Sequence, residues 1–195
     1  MRFAFRDINP TLVEIVKLWG KDVFEEVENC SIVSKTATAV VSPANSFGFM
    51  DGGVDAVYTN YFGGHVQKSL QKDIQQLCAS RELLVGSALA ISTGSTIIPW
   101  VISAPTMRRP RMIEDFLDVY LATRAAAIVA LDTLPQNALV AFPGMGTGAG
   151  CVPPAIAVRA MVCAIRDAIT PLPFPYTVRE AIRADIALRS LIIGQ

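Results

Sequence analysis

Short, β-branched apolar runs alternate along this chain with longer helical stretches, and the two most apolar runs each open into a glycine-bearing loop. That order constrains the fold more than any single residue does. Phe3–Arg6 reads as a strand, and Asn9 with Pro10 supplies an N-cap and first-turn signal for a helix over Leu12–Trp19. Phe24–Ile32 alternates acidic and apolar residues like a half-exposed strand, while Thr38–Ala44 has the β-branched, apolar character of a buried one. Helices are expected over Val54–Tyr61 and Val66–Ala79, strands over Ser87–Thr93 and Trp100–Pro105, and a turn at Gly94-Ser95 between those strands. A long apolar helix over Ile113–Leu134, a buried strand at Ala138–Phe142 and a proline-opened helix over Pro154–Ile169 complete the series. Strands that alternate with helices in this way predict a three-layer α/β/α sandwich around a mixed, largely parallel sheet.

Composition narrows the function classes. Of the 195 residues, 17 are Lys or Arg and 17 are Asp or Glu, so the formal net charge is zero. Massed phosphate neutralisation needs a concentrated excess of Lys and Arg, and this argues against a nucleic-acid partner. Hydrophobic residues make up 52% and charged residues 17%, against a usual charged share of about 25%, which indicates a compact chain with a substantial core. Arg2, Arg6 and Asp7 stand where a secretory leader needs apolar residues, and no window reaches 18 apolar residues, so a soluble, cytoplasmic protein without membrane contact is expected. Cys30, Cys78, Cys151 and Cys163 show no C-x-x-C spacing, and His65 is the single histidine. Neither a metal site nor a disulfide framework is expected, and no cofactor is called for.

The chemistry concentrates at two strand-to-helix junctions. The first runs S-P-A-N-S-F-G-F-M-D-G-G-V-D over 42–55, the second F-P-G-M-G-T-G-A-G-C-V-P-P over 142–154. Ligands of open α/β sheets bind outside the carboxyl ends of strands, where glycines let backbone amides approach a phosphate at a helix N-terminus. Glycines alternate at 144, 146, 148 and 150, a costly arrangement for backbone entropy that suggests close approach of a ligand. Neither loop carries G-K-[ST] or the G-x-G-x-x-G fingerprint, so an ATPase P-loop and a standard dinucleotide fold fit poorly. Neither contains Lys or Arg, so a bound diphosphate would be gripped by amides and helix dipoles.

Together these loops resemble those of the macrodomains, a family that binds ADP-ribose. S-P-A-N at 42–45 followed by G-G-V-D at 52–55 is similar to the family's N-A-A-N and glycine-run-V-D signature. Gly146 to Pro153 is similar to its second loop, and Arg6-Asp7-Ile8 to a G-D-I segment. The likeness spans roughly residues 1–170, with 171–195 a C-terminal extension of linker and helix outside it. The resemblance implies ADP-ribose or an ADP-ribosylated substrate as ligand. Asp7 would accept from the adenine amino group, with Ile8 beside it, and Asn45 would hold the distal ribose. Gly52, Gly53 and Val54 would line one phosphate, and Gly146, Thr147, Gly148, Ala149 and Gly150 the other.

Asp55 matches the aspartate that positions or activates water in the mono-ADP-ribosyl hydrolase branch, which makes Asn45 and Asp55 the candidate catalytic pair. Cleavage at C1″ of ribose passes through an oxocarbenium-like state, for which an amide and a carboxylate suffice without histidine. The ordinary alternative for Asp55 is a first-turn helix acid, and for Asp51 an N-cap. The sequence departs from the family at Ser42, at a glycine run of two, and at Gly150, where an aromatic often stands. Three readings therefore stay open: hydrolase of ADP-ribosyl linkages or ADP-ribose 1″-phosphate, non-enzymatic ADP-ribose reader, and a structural module without ligand. The oligomeric state is left open as well.

Among the remaining residues, His65 reads as a surface or capping group, Met145 and Trp100 as core, and Cys151 as a small loop residue. Arg108–Arg111 reads as a solvated loop or a basic rim, and Phe47 and Phe49 as loop aromatics that pack back or stack on a base.

Overall fold

A computed structural model describes residues 1–194. Strand β1 (Arg2–Asp7) alternates Phe3 and Phe5 on one face with Ala4 and Arg6 on the other, and all four are buried. A strand covered on both faces belongs in the middle of a layered domain. It is joined by β2 (Glu26–Asn29), β3 (Ala39–Ser42), β4 (Leu89–Ser92), β5 (Trp100–Ser103) and β6 (Leu139–Phe142) in the order β2-β1-β6-β3-β5-β4. All neighbours run parallel except β4 and β5.

The alternation of side chains across this sheet creates two cores. Phe3, Phe5, Val41, Val140 and Phe142 face helices α1 (Pro10–Trp19), α4 (Leu117–Thr133) and α5 (Pro154–Ile169). Ala4, Val40, Val101 and Ala141 face α2 (Gly53–Phe62) and α3 (His65–Leu77). Phe3, Phe24 and Phe142 meet edge to face with centroids 5.9 and 6.2 Å apart, and Phe5 joins Phe24 at 5.7 Å, which binds β1, β6 and the turn before β2 into one apolar unit. The architecture is the expected three-layer sandwich with a mixed, largely parallel sheet.

Most expected elements are present within two or three residues, and two differ instructively. The strand expected over Phe24–Ile32 shortens to Glu26–Asn29. As an edge strand, β2 pairs only with β1, and its ladder ends where β1 ends, at the Asp7–Asn29 pair. The acids of its alternation are not solvent-facing decoration. Glu26 and Glu28 both bond the guanidinium of Arg6, which is 2% exposed and also donates to the carbonyls of Lys35 and Thr36 at 3.2 Å. The long helix expected from Ile113 begins only at Leu117. Ile113 instead donates its N–H to Gly150 O at 2.9 Å, and Asp115 Oδ1 accepts from Leu117 N–H at 3.0 Å to start α4. A tertiary bond to a distant loop thus overrides local helical periodicity.

Beyond α5 the exposed segment 171–177 is irregular. Helix α6 (Val178–Ile193) then opens with a capping box between Thr177 and Glu180. It docks on the body, with Ile192 fully buried and Leu188 packed against the α4/α5 core. No described helix is long and apolar enough to cross a membrane.

Replacing Arg6 with Ala strips four acceptors of their donor at once. Unfolding free energy in a urea titration is expected to fall by about 3 kcal/mol. Arg6→Lys should recover less than half of this, because an ammonium cannot reach the forked set of acceptors.

Candidate functional site

The strand order places the carboxyl ends of β1, β6 and β3 side by side, and the loops that leave them enclose a cleft of about 590 Å³. Its volume lies in the range of small-molecule sites. Asp7 and Ile8 line it from β1, Asn45 and Asp51–Asp55 from the β3–α2 loop, and Gly146–Gly150 from the loop after β6. The sequence-nominated residues therefore converge on one cavity. Ile8 stands 77% exposed at its mouth, whereas Asn45 and Asp55 are each only 7% exposed.

Two arcs of backbone amides face this cleft. Helix α2 starts at Gly52 with no side-chain cap, which leaves the first-turn N–H groups of Gly53, Val54 and Asp55 directed outward at the positive end of the helix. By contrast, α1 is capped by Asn9, whose Oδ1 accepts from Thr11 N–H at 3.0 Å. In the second loop the N–H groups of Thr147, Gly148, Ala149 and Gly150 donate to no acceptor among the described residues. Such amides need a water or an anion.

The glycines of the second loop divide by role. A Cβ on Gly144 would come within 2.7 Å of Leu12 Cδ1, and one on Gly150 within 2.5 Å of Gly146 O and 2.6 Å of Ile113 Cδ1. Gly146 holds φ +72° above Val119 and Ile113. These three glycines serve the protein's own packing, which corrects the expectation that their spacing reports close approach of a ligand. A Cβ on Gly148 would meet nothing within 4 Å, as at Gly52 and Gly53, and these are the positions that open onto free space. Crowding around Gly150 also explains why no aromatic stands there.

Asn45 is more committed than its assignment to ribose implies. Its Oδ1 accepts from the amides of Phe47 at 3.2 Å and Phe49 at 3.3 Å, and its Nδ2 donates to Phe49 O at 2.9 Å. The side chain shapes the loop and keeps one N–H for a ligand oxygen. Asp7 is likewise engaged: Oδ1 accepts from Asn9 N–H at 2.8 Å and Oδ2 from Gly144 N–H at 2.9 Å.

Asp55, in the first turn of α2, accepts a 2.5 Å hydrogen bond from Ser42 Oγ at the end of β3. Burial pushes its carboxyl up from 3.8 to about 7, opposed by the Ser42 hydroxyl and reinforced by the charge of Asp51. Ser42, where the sequence departs from the family pattern, is the hydrogen-bond partner of Asp55. Sequence reading missed this pairing, although the 13-residue spacing across one loop was its only available signal.

Other candidates lie apart or are occupied. His65 opens α3, with Nε2 3.0 Å from Thr93 O. Arg108 makes a bidentate pair with Glu82 at 2.7 and 2.8 Å and covers the Phe47 ring, while Phe49 lines the cleft with 49% of its surface exposed. Cys151 is exposed, at φ +53°, beyond the cleft wall. Trp100, read as core, is half-buried, and Met145 is fully buried. Among the described residues, no three His, Cys, Asp or Glu side chains group as a metal site requires.

A largely parallel α/β sandwich with an amide-lined cleft at the carboxyl edge of its sheet defines a small-ligand-binding domain. Residues 41–161 match the model of the Macro domain family, and the chain belongs to that family. It is 39% identical over 136 residues to an uncharacterized protein of Aquifex aeolicus, covering 70% of this chain and 77% of that one. The fold is similar to a macrodomain mutant of Oceanobacillus iheyensis solved with ADPR, with TM-score 0.61, 18% identity, and coverage of 83% of this chain and 90% of that one. The macrodomain of Mycobacterium tuberculosis DarG is similar as well, with TM-score 0.58, 19% identity, and coverage of 70% and 86%.

The raised pKa of Asp55 means that the native state holds its proton between about pH 4 and 7 while the unfolded state has lost it. Stability therefore falls as pH rises through that window. Asp55→Asn removes the effect and keeps an acceptor for Ser42. Calorimetric melting at pH 4, 5.5 and 8 should show the variant gaining on wild type as pH rises, by up to about 4 kcal/mol.

Proposed function

We propose that the cleft binds ADP-ribose or an ADP-ribosyl group. The observation that carries this reading is the pair of unpartnered amide arcs, at Gly53–Asp55 and Thr147–Gly150, facing one cavity. Among the described residues that line the cavity, the one cationic side chain is Arg6, whose guanidinium is already committed to two carboxylates and two carbonyls. A diphosphate suits such a site, because two anionic groups in series can each take amides from one arc. Family membership and the ADPR held by the Oceanobacillus iheyensis neighbour support the same ligand. In this reading the adenine lies toward Asp7 and Ile8, the diphosphate between the arcs, and the distal ribose against the free N–H of Asn45.

A second reading, turnover, is favoured by Asp55 alone. A buried carboxyl with a pKa of about 7 is ionised in a large fraction of molecules at neutral pH and still basic enough to take a proton from water. The water oxygen would bond to C1″ as the bond from C1″ to the leaving group breaks. The leaving group keeps the electron pair, and the water proton passes to Asp55.

Calorimetric titration with ADP-ribose is expected to give micromolar binding by wild type. Gly148→Glu should lose at least tenfold in affinity with an unchanged melting temperature, since the new side chain enters free space and places a charge in the second arc. Absence of binding by wild type would overturn the reading in favour of a structural module. Release of ADP-ribose from a modified peptide or from ADP-ribose 1″-phosphate, abolished by Asp55→Ala, would establish a hydrolase, and tight binding without release a reader.

A further inference from the structure

The family match ends at residue 161, yet the chain continues into a helix that reaches back toward the cleft. The contacts form an unbroken series. Arg189 on α6 makes a bidentate pair with Asp115, Nη2 to Oδ2 at 2.8 Å and Nη1 to Oδ1 at 3.1 Å, and its guanidinium lies 5.6 Å from the Phe116 ring centroid. Asp185, one turn earlier, accepts from Arg189 Nε at 2.9 Å and fixes the plane of the fork. Asp115 and Phe116 end the segment that begins at Ile113. Ile113 donates its N–H to Gly150 O at 2.9 Å, and its side chain lies directly under Gly146 and Gly150, within 3.0 and 2.6 Å of where their Cβ atoms would be. The floor of the second amide arc is therefore the stretch that α6 tethers.

We propose that α6 is a brace for this loop: Arg189, acting through Asp115 and Ile113, holds the Thr147–Gly150 amides in the arrangement that receives the distal part of the diphosphate. Arg189 is a positioning residue and touches no ligand. Its effect rests on preorganisation, since amides already held in place spend less conformational entropy on binding than a loop that must first be ordered. Without the pair, Asp115 and Phe116 keep the backbone bonds by which their carbonyls accept from the first turn of α4, while Ile113, ahead of the helix, is held through its bond to Gly150 O. The inference rests on the proposed ADP-ribose reading for its functional consequence, though the bracing itself does not.

The test uses the full chain and the variants Arg189→Ala, Asp115→Asn and their combination. Asp115→Asn keeps an oxygen for Leu117 N–H while it removes the charge. Amide hydrogen exchange without ligand should show faster exchange at the hydrogen-bonded amides of Ile113, Cys151 and Val152 in each variant, with β1, β3 and β6 unchanged. Calorimetry should show ADP-ribose affinity about fivefold weaker in either single variant and no weaker again in the double. Affinity for AMP, which lacks the distal phosphate and ribose, should stay at the wild-type value. Unchanged exchange at Ile113, Cys151 and Val152, wild-type ADP-ribose affinity in Arg189→Ala, or an equal loss for AMP would overturn the proposal. If wild type fails to bind ADP-ribose, the reading of the cleft falls, while the exchange comparison still decides whether α6 braces the loop.

Discussion

The carboxylate of Asp7 ties the β1–α1 loop to the loop that carries the second amide arc, two of the three loops that enclose the cleft. It stands at the last position of β1, where one oxygen takes the amide of Asn9 and the other the amide of Gly144 beyond β6. The loop that starts α1 and the loop that carries the second amide arc are thereby held to one group. The bond tolerates no side chain at 144, where a Cβ would meet Leu12 at 2.7 Å and Asp7 itself at 3.1 Å. Parallel strands make this possible, because β1, β6 and β3 all present their carboxyl ends at the same edge.

Charge in the cleft follows from this geometry. Asp7, Asp51 and Asp55 line it, and the one guanidinium among the described residues of its walls, that of Arg6, is turned to Glu26 and Glu28. Attraction for an anion must come from amides and the α2 dipole, which act at short range and need little net charge on the chain. The balance of 17 against 17 is compatible with that mode of binding and does not demand it. Burial of Asp55 against Ser42 has the opposite character, since it holds a carboxyl at an elevated pKa inside the fold.

Much of the site was legible because it is local. The stretch 42–55 carries its glycines, Asn45 and Asp55 in one continuous loop, the stretch 144–150 carries its four glycines in another, and each follows an apolar strand whose buried character is plain from composition. Helix starts were equally legible where a cap or proline marks them, at Asn9-Pro10 and Pro154. The late start of α4 was not, since the bonds that set it, from Ile113 to Gly150 and from Arg189 to Asp115, join residues distant in sequence. The purpose of each glycine was hidden too, because crowding at 144, 146 and 150 comes from Leu12, Val119 and Ile113, distant in sequence.

By itself, the sequence determined the alternation of strands and helices, the two glycine loops and the family likeness, because each is written in contiguous residues and in periodicities of two and 3.6. Only the tertiary structure decided that β1, β6 and β3 lie adjacent, that Ser42 pairs with Asp55, that Arg6 is consumed by β2, and that α6 reaches Asp115. Those outcomes depend on strand order and on contacts across tens of residues. Local propensity carries no record of them, since the energy that selects them exists only when the layers are packed.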